Sequence, residues 1–130
     1  MPHNDSSYPG DWARLAEKDW KRVTMLLEDG DFQLAGFCLQ QAMEKLLKGF
    51  LLSRGWQLRK IHNLDALLDD AVEHDPALEV ERKALQRITA FYTAERYPLV
   101  EDLGITEKDV GALLDQVTPL FERLRRQIIP

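Results

Sequence analysis

Residues 40–48 read QQAMEKLLK and lie in the middle of the second helix that the sequence predicts. At about 3.6 residues per turn, this helix separates its side chains into two faces. One face is apolar and consists of Ala35, Leu39, Ala42, Leu46 and Phe50. The other face gathers the polar side chains of Gln40, Gln41, Glu44, Lys45 and Lys48, among which Leu34, Phe37, Cys38 and Leu52 intrude. We therefore expect this helix to be covered on most sides, with a few polar groups in or beside the core, at the centre of the fold.

The size and composition of the chain predict one globular domain. It has 130 residues, of which 45% are hydrophobic and 30% are charged. That balance is typical of folded proteins, and the length suffices for a single core. The net charge of −5 argues against a broad cationic surface for nucleic acid, because non-specific binding depends on many phosphate contacts. A small local site for nucleic acid is still compatible with this net charge.

The N-terminal residues and the single cysteine bear on localisation. Cys38 has no partner for an intrachain disulfide, which favours a reducing compartment. Residues 1–10 are polar with two prolines, unlike a signal peptide. No apolar run approaches the roughly 20 residues that a membrane span needs. We expect a soluble, cytoplasmic protein without membrane association, in which residues 1–10 form a flexible segment and residues 11–130 a single helical domain.

Helical periodicity runs through almost the whole chain. It predicts five helices, at about residues 11–29, 32–54, 63–74, 78–95 and 106–126. Asp11 and Asp31 are the expected N-caps of the first two helices, and Gly30 ends the first. Because so few residues join these two helices, an antiparallel hairpin is expected. The predicted fold is all-α, an up-and-down bundle of about five helices whose first two form a long antiparallel hairpin.

The last predicted helix has a clear start and one internal irregularity. Thr106 and Asp109 have the spacing of a capping box, with Asp in place of the usual Glu or Gln. Pro119 lies inside this helix, where an isolated proline costs about 3 kcal/mol. We expect a kink there.

Several short motifs occur in a fixed order along these helices. They are Ala16-x-x-Asp19, Gly30-Asp31-Phe32, Gln40-Gln41-Ala42-x-Glu44-Lys45-x-x-Lys48, His62-x-Leu64 and Tyr92-x-x-x-Arg96-Tyr97-Pro98. Over residues 11–126 this ordered set resembles the HEPN domain family (higher eukaryotes and prokaryotes nucleotide-binding), in its small stand-alone prokaryotic type. The resemblance implies a helical bundle, frequent homodimers, and association with nucleotides or RNA. It also implies a partner, because small members are often encoded beside a minimal nucleotidyltransferase in toxin–antitoxin pairs.

One departure from the family pattern concerns nuclease activity. Nuclease members have an Arg followed by four to six residues and then a His. Arg96 matches that arginine, but the three candidate histidine positions hold Glu101, Asp102 and Leu103, and no histidine follows His74. Glu101 or Asp102 could act as a general base only with a raised pKa, which a polar loop does not readily supply. We therefore expect no strong nuclease activity and assign no catalytic residue, with Arg96 the first choice if there is one.

A charged residue on an apolar helix face needs a partner. Asp19 lies on the apolar face of the first helix, and Lys45 is its natural partner across the hairpin. One interpretation is a structural ion pair that sets the register of the two helices. The other is that Asp19, Lys45 and Arg96 line a shared polar site.

The segment Arg96-Tyr97-Pro98 also has two interpretations. Structurally, Pro98 stops a helix, Tyr97 packs on the bundle and Arg96 bonds the last helix carbonyls. Functionally, an arginine beside an aromatic ring suits recognition of phosphate and base. The expected nucleotide or RNA contacts are Arg96 and Tyr97, with Lys45 and Lys48 adding positive charge.

Other groupings suggest chemistry less strongly. His62, Asp65, Asp69 and Glu73 share one face of the third helix, which we interpret as a solvated face rather than a metal site. There is also no Gly-rich phosphate loop and no Ser-His-Asp pattern. We expect neither a metal nor a cofactor.

Three functional hypotheses follow. The first is a HEPN-like protein that binds a nucleotide or RNA, or partners a nucleotidyltransferase. The second is a homodimeric interaction module without a small ligand, in which Trp20, Met25 and Phe37 contribute to the interface. The third is an atypical ribonuclease that uses Glu101 or Asp102 in place of the histidine.

Overall fold

Five α-helices and one short 3-10 helix form the described part of the chain. The structure is a computed structural model, and it describes residues 6–96 and 105–129, without the side chains of residues 93–96. The elements are α1 (Pro9–Asp29), α2 (Phe32–Ser53), α3 (Leu64–His74), a 3-10 segment (Pro76–Glu81), α4 (Arg82–Arg96) and α5 (Glu107–Ile128). No strand occurs within these ranges. The all-α fold predicted from the periodicity is confirmed.

The hairpin of α1 and α2 turns on two residues. Gly30 adopts a left-handed backbone conformation, with φ of 82°, that a residue with a side chain would resist. The amides of Gly30 and Asp31 bond back to the carbonyls of Leu27 and Leu26, so the last turn of α1 closes as a Schellman motif. The Asp31 carboxylate then accepts from the amide of Leu34 and caps α2, as its position in the sequence predicted.

The start of α1 differs from the prediction. The helix begins at Pro9 with Tyr8 as its N-cap, not at Asp11. Proline suits the first position of a helix because its fixed φ is already helical. Its lack of an N–H costs nothing there, since the first N–H groups of a helix have no intrahelical acceptor. Asp11 instead lies in the first turn, where its negative charge interacts favourably with the helix dipole. Ser6 is attached to this turn, since its carbonyl accepts from the indole Nε1 of Trp12 at 2.7 Å.

Helix α2 is the centre of the bundle. It contacts each of the other four α-helices. Its apolar face is fully covered, because Ala35, Leu39, Ala42, Leu46 and Phe50 are all buried. Its polar face is partly buried as well: Gln40, Glu44 and Lys48 are inaccessible or nearly so. The expectation that polar groups of this helix are held in the core is confirmed.

Helix α4 begins later than predicted. Pro76 and the residues after it form a 3-10 segment, with Asp75 as its cap, and α-helix starts only at Arg82. From there α4 packs closely on α2 at Gly36, which has no side chain to hold the two backbones apart. This close packing brings the C-terminal half of α4 beside the polar side chains of α2.

Helix α5 completes the bundle against α1 and α2. The capping box of Thr106 and Asp109 is present, as predicted. The helix continues through Pro119 to Ile128, two residues past its predicted end. Phe121 stacks on Trp20 of α1 with ring centroids 4.1 Å apart. In the part of the chain that the structure describes, no helix combines the length and apolar character that crossing a membrane requires.

Candidate functional site

Glu44 is the centre of a buried polar cluster on α2. Its carboxylate accepts from Lys48 Nζ at 3.0 Å and from Gln40 Nε2 at 3.1 Å. These three residues follow one another at intervals of four, so they lie on one side of the helix, one turn apart. The side chains of Glu44 and Lys48 are each only 5% exposed. A buried charge is tolerated when it is paired and hydrogen-bonded, and both conditions hold here.

His62 joins this cluster from the loop between α2 and α3. Its Nδ1 lies 3.2 and 3.3 Å from the two carboxylate oxygens of Glu44. Its backbone carbonyl accepts from Gln40 Nε2 at 3.1 Å. The loop is thus attached to α2 through both its main chain and its imidazole. The His62 side chain remains 57% exposed, so it is the part of the cluster that solvent can reach.

Three rings stack beside the cluster. His62 lies on Tyr92 of α4 with ring centroids 5.8 Å apart and planes inclined by 13°. Phe37 of α2 is also stacked with Tyr92, at 5.8 Å and 22°. These near-parallel rings link α2, α4 and the loop, and His62 is the most exposed of the three. An exposed flat ring of this kind can support a second planar group such as a nucleobase.

Arg96 follows Tyr92 by one helical turn of α4. Because side chains four residues apart leave a helix in similar directions, positions 92 and 96 lie on the same side of α4. The side chain of Arg96 lies outside the described residues, as do Tyr97, Glu101 and Asp102. Their roles as expected contacts or as a substitute base stay predictions.

Lys48 and Lys45 occupy different environments on α2. Lys48 is buried with its Nζ against Glu44 and 5.4 Å from the centroid of the Trp12 ring. Lys45 points to α1, where its Nζ lies 2.5 Å from Asp19 Oδ2 and its side chain is 17% exposed. Both ammonium groups expected to supplement ligand binding are therefore paired with carboxylates of the same chain.

Asp19 has a second partner beside Lys45. Arg22, one turn further along α1, places a guanidinium nitrogen 2.9 Å from Asp19 Oδ1. The buried carboxylate thus receives a donor on each oxygen. This arrangement links the two helices of the hairpin and supports the structural interpretation of the pair.

The acidic side of α3 is part of a surface ion network. Arg82 of α4 lies 2.7 Å from carboxylate oxygens of both Asp65 and Asp69, and it also binds Glu79. The hydrogen bond from Gln86, followed by the one from Arg82, lowers the pKa of Asp65, although partial burial opposes the shift. His62, which we grouped with these residues from the sequence, turns instead to Glu44 of α2. Among the described residues, no group of three or more His, Cys, Asp and Glu side chains is arranged to hold a metal ion.

The sequence indicated part of this site and missed the rest. The interval Gln40, Glu44, Lys48 on an otherwise buried helix is a usable signal for an internal polar cluster. Nothing in the local pattern shows that His62, 18 residues beyond Glu44, completes it, or that Tyr92 stacks on the imidazole.

Family comparison agrees with the helical arrangement. The family model described as HEPN domain matches residues 10–127. This chain belongs to the HEPN domain family. Two solved structures are similar to it along nearly the whole HEPN domain. The protein TT1696 from Thermus thermophilus has a TM-score of 0.81 and 26% identity, with 93% of this chain and 98% of that chain covered.

The second similar structure is ST0689, an archaeal HEPN homologue, with a TM-score of 0.67, 29% identity and the same coverage of both chains. No curated protein matches the chain. HEPN domain proteins are often dimeric.

Proposed function

We propose that this HEPN-domain protein binds a nucleotide or RNA where His62, Tyr92 and the C-terminal end of α4 meet. The observation that carries the proposal is the exposed His62 ring, stacked on Tyr92 and held in place by the buried Glu44. Proteins that bind unpaired nucleotides combine flat side chains, which stack on bases, with cations that contact phosphate. The rings are on one side of α4 together with position 96.

The proposed division of roles follows from burial and charge. Arg96 contacts phosphate, which suits a guanidinium with its fixed pair of donors, and Tyr97 stacks on the ligand or packs beside it. Lys45 and Lys48 act indirectly, because their ammonium groups are already bound to Asp19 and Glu44. With a net charge of −5, the chain should bind through this local site, and its affinity should depend only modestly on salt.

We further propose that the protein partners a minimal nucleotidyltransferase in a toxin–antitoxin-type pair, without strong nuclease activity of its own. The support is the resemblance to small stand-alone family members and the absence of a histidine after His74. Affinity purification of the tagged chain from its host should recover such an enzyme. Incubation with cellular RNA should give no more cleavage by the wild type than by Arg96→Ala.

Calorimetric titration with AMP and with a uridine pentanucleotide tests the binding site. Arg96→Ala should weaken binding at least about tenfold, because a hydrogen bond to a charged group contributes about 1.5–3 kcal/mol. Arg87→Ala is the matched control, since Arg87 is exposed on the same helix and nine residues from position 96, about half a turn around the axis. Absence of binding by the wild type at millimolar ligand would contradict the proposal, as would equal losses in both variants.

The interaction-module hypothesis has less support from the packing. Trp20 stacks on Phe121 and Phe37 on Tyr92, so two of the three apolar residues assigned to an interface are engaged within the chain. Only Met25 is largely exposed, at 65%. Mass measurement in solution would test the expected homodimer independently of any ligand.

A further inference from the structure

The polar cluster around Glu44 includes one histidine, His62, and histidine is the side-chain type that ordinarily changes its charge near neutral pH. Glu44 and Lys48 are buried together and their opposite charges compensate each other. His62 is the remaining titratable member of this group, and it is exposed. Histidine changes its charge between about pH 5 and 8, more readily than any other side chain. A proton taken up by His62 therefore leaves the cluster with one net positive charge at its solvent-facing end.

We propose that His62 takes up a proton when an anionic ligand binds, so that affinity for phosphate-bearing ligands rises as the pH falls. This inference rests on the proposed nucleotide or RNA site and names how binding there is regulated. It concerns phosphodiester and phosphate groups, not the base.

The orientation of the imidazole gives the chemical reason. Nδ1 is the nitrogen that faces Glu44, so in the neutral ring the single N–H is directed to the carboxylate. Nε2 then carries a lone pair, which repels an anionic oxygen. After protonation both nitrogens donate, and Nε2–H can bind a phosphate oxygen while Nδ1–H remains on Glu44. Because Glu44 holds the first proton on Nδ1, a phosphate contact at Nε2 requires the second proton.

The other charged groups around His62 do not account for such a dependence. Glu44 contacts the ring from α2, and Tyr92 stacks on it from α4. The first turn of α3 contributes Asp65, which is bound by Arg82 and Gln86. In the loop itself, Arg59 pairs with Asp70 and Lys60 is exposed. Guanidinium and ammonium groups in general keep their charge between about pH 5.5 and 8.

The experiment is a calorimetric titration of the full chain with a uridine pentanucleotide at several pH values between about 5.5 and 8, at constant ionic strength. The phosphodiester charges of this ligand do not change in that range, and uridine serves as the uncharged comparison. Wild-type affinity should fall with rising pH, by at most about tenfold per pH unit for one linked proton. His62→Gln should abolish this dependence, whereas the matched control His74→Gln, at the exposed end of α3, should retain it.

A second measurement keeps the inference testable if His62→Gln folds poorly. In NMR spectra of the wild type, saturating pentanucleotide should move the titration midpoint of the His62 imidazole to higher pH and leave that of His74 in place. Affinity that is independent of pH, a dependence that survives in His62→Gln, or an unchanged His62 midpoint would overturn the inference and leave the proposed function intact. Absence of binding at every pH would overturn both.

Discussion

Gly36 of α2 faces Phe91 of α4 so closely that a Cβ atom at position 36 would lie 2.8 Å from Phe91 Cγ. Real Cβ atoms essentially never make so short a contact, and Phe91 is itself buried in the core. The absent side chain thus sets the separation of the two helices. Since Tyr92 follows Phe91 directly, the same contact helps to set how far the ring of Tyr92 stands from α2.

Gly36→Ala should therefore lower stability, although alanine is the better helix former by about 1 kcal/mol. Forcing a methyl group into a packed contact costs about 1–3 kcal/mol, and a cost in the upper part of this range, which exceeds the gain in propensity, is expected because three atoms of Phe91 would lie within 3.1 Å of the new Cβ. Gly111→Ala in α5 is the matched control, because a Cβ there meets no atom within 4 Å, and it should be neutral or stabilising. Urea unfolding measures both changes. Equal stabilisation by the two substitutions would show that the contact between α2 and α4 accommodates a methyl group at position 36.

The ion pair between Asp19 and Lys45 can be measured by a double-mutant cycle. Asp19→Ala and Lys45→Ala should each destabilise the chain, and the double variant should lose less than the sum of the two. For residues in direct contact, we expect a coupling of about 0.5–3 kcal/mol. Arg22→Ala, which removes the more exposed partner of Asp19, should cost less than Lys45→Ala. Additive losses would count against a direct interaction.

Arg82→Met should lower the urea midpoint at neutral pH, because it leaves the carboxylates of Asp65, Asp69 and Glu79 without their shared cation. The pKa of Asp65 is lowered, first by Gln86 and then by Arg82. A lowered carboxyl pKa contributes stability that is present above about pH 4, the ordinary value for aspartate, and is lost as the pH falls through the lowered value.

The difference between wild type and Arg82→Met should accordingly shrink as the solution is acidified below about pH 4. Lys83→Met, at the neighbouring exposed position, supplies the control for loss of one positive charge. A difference that is constant from neutral to acidic pH would contradict a stabilising role for the charge of Arg82.

Some features were predictable because they depend on neighbours in sequence. The central position of α2 follows from apolar residues intruding on its polar face, and the hairpin follows from Gly30 and Asp31. The capping box of Thr106 and Asp109 is also a local pattern.

Other features depend on contacts between segments that are distant in sequence, and local sequence patterns carry no information about such contacts. The periodicity around Leu78 indicated α-helix, but Asp75 and Pro76 instead begin a 3-10 segment. His62 was assigned to the solvated face of α3, because sequence spacing relates a loop residue only to its own helix. Its interaction with Glu44 arises only once α3 folds back on α2.

Gln40 holds the loop through the carbonyl oxygen of residue 62, a group that every amino acid carries. This main-chain part of the attachment therefore does not depend on which side chain stands at position 62. We expect that the imidazole at position 62 can be exchanged for a phenyl, an amide or a synthetic heterocycle while the main-chain carbonyl keeps its hydrogen bond from Gln40. A series of such exchanges would read out the chemistry of one ring against an otherwise constant background.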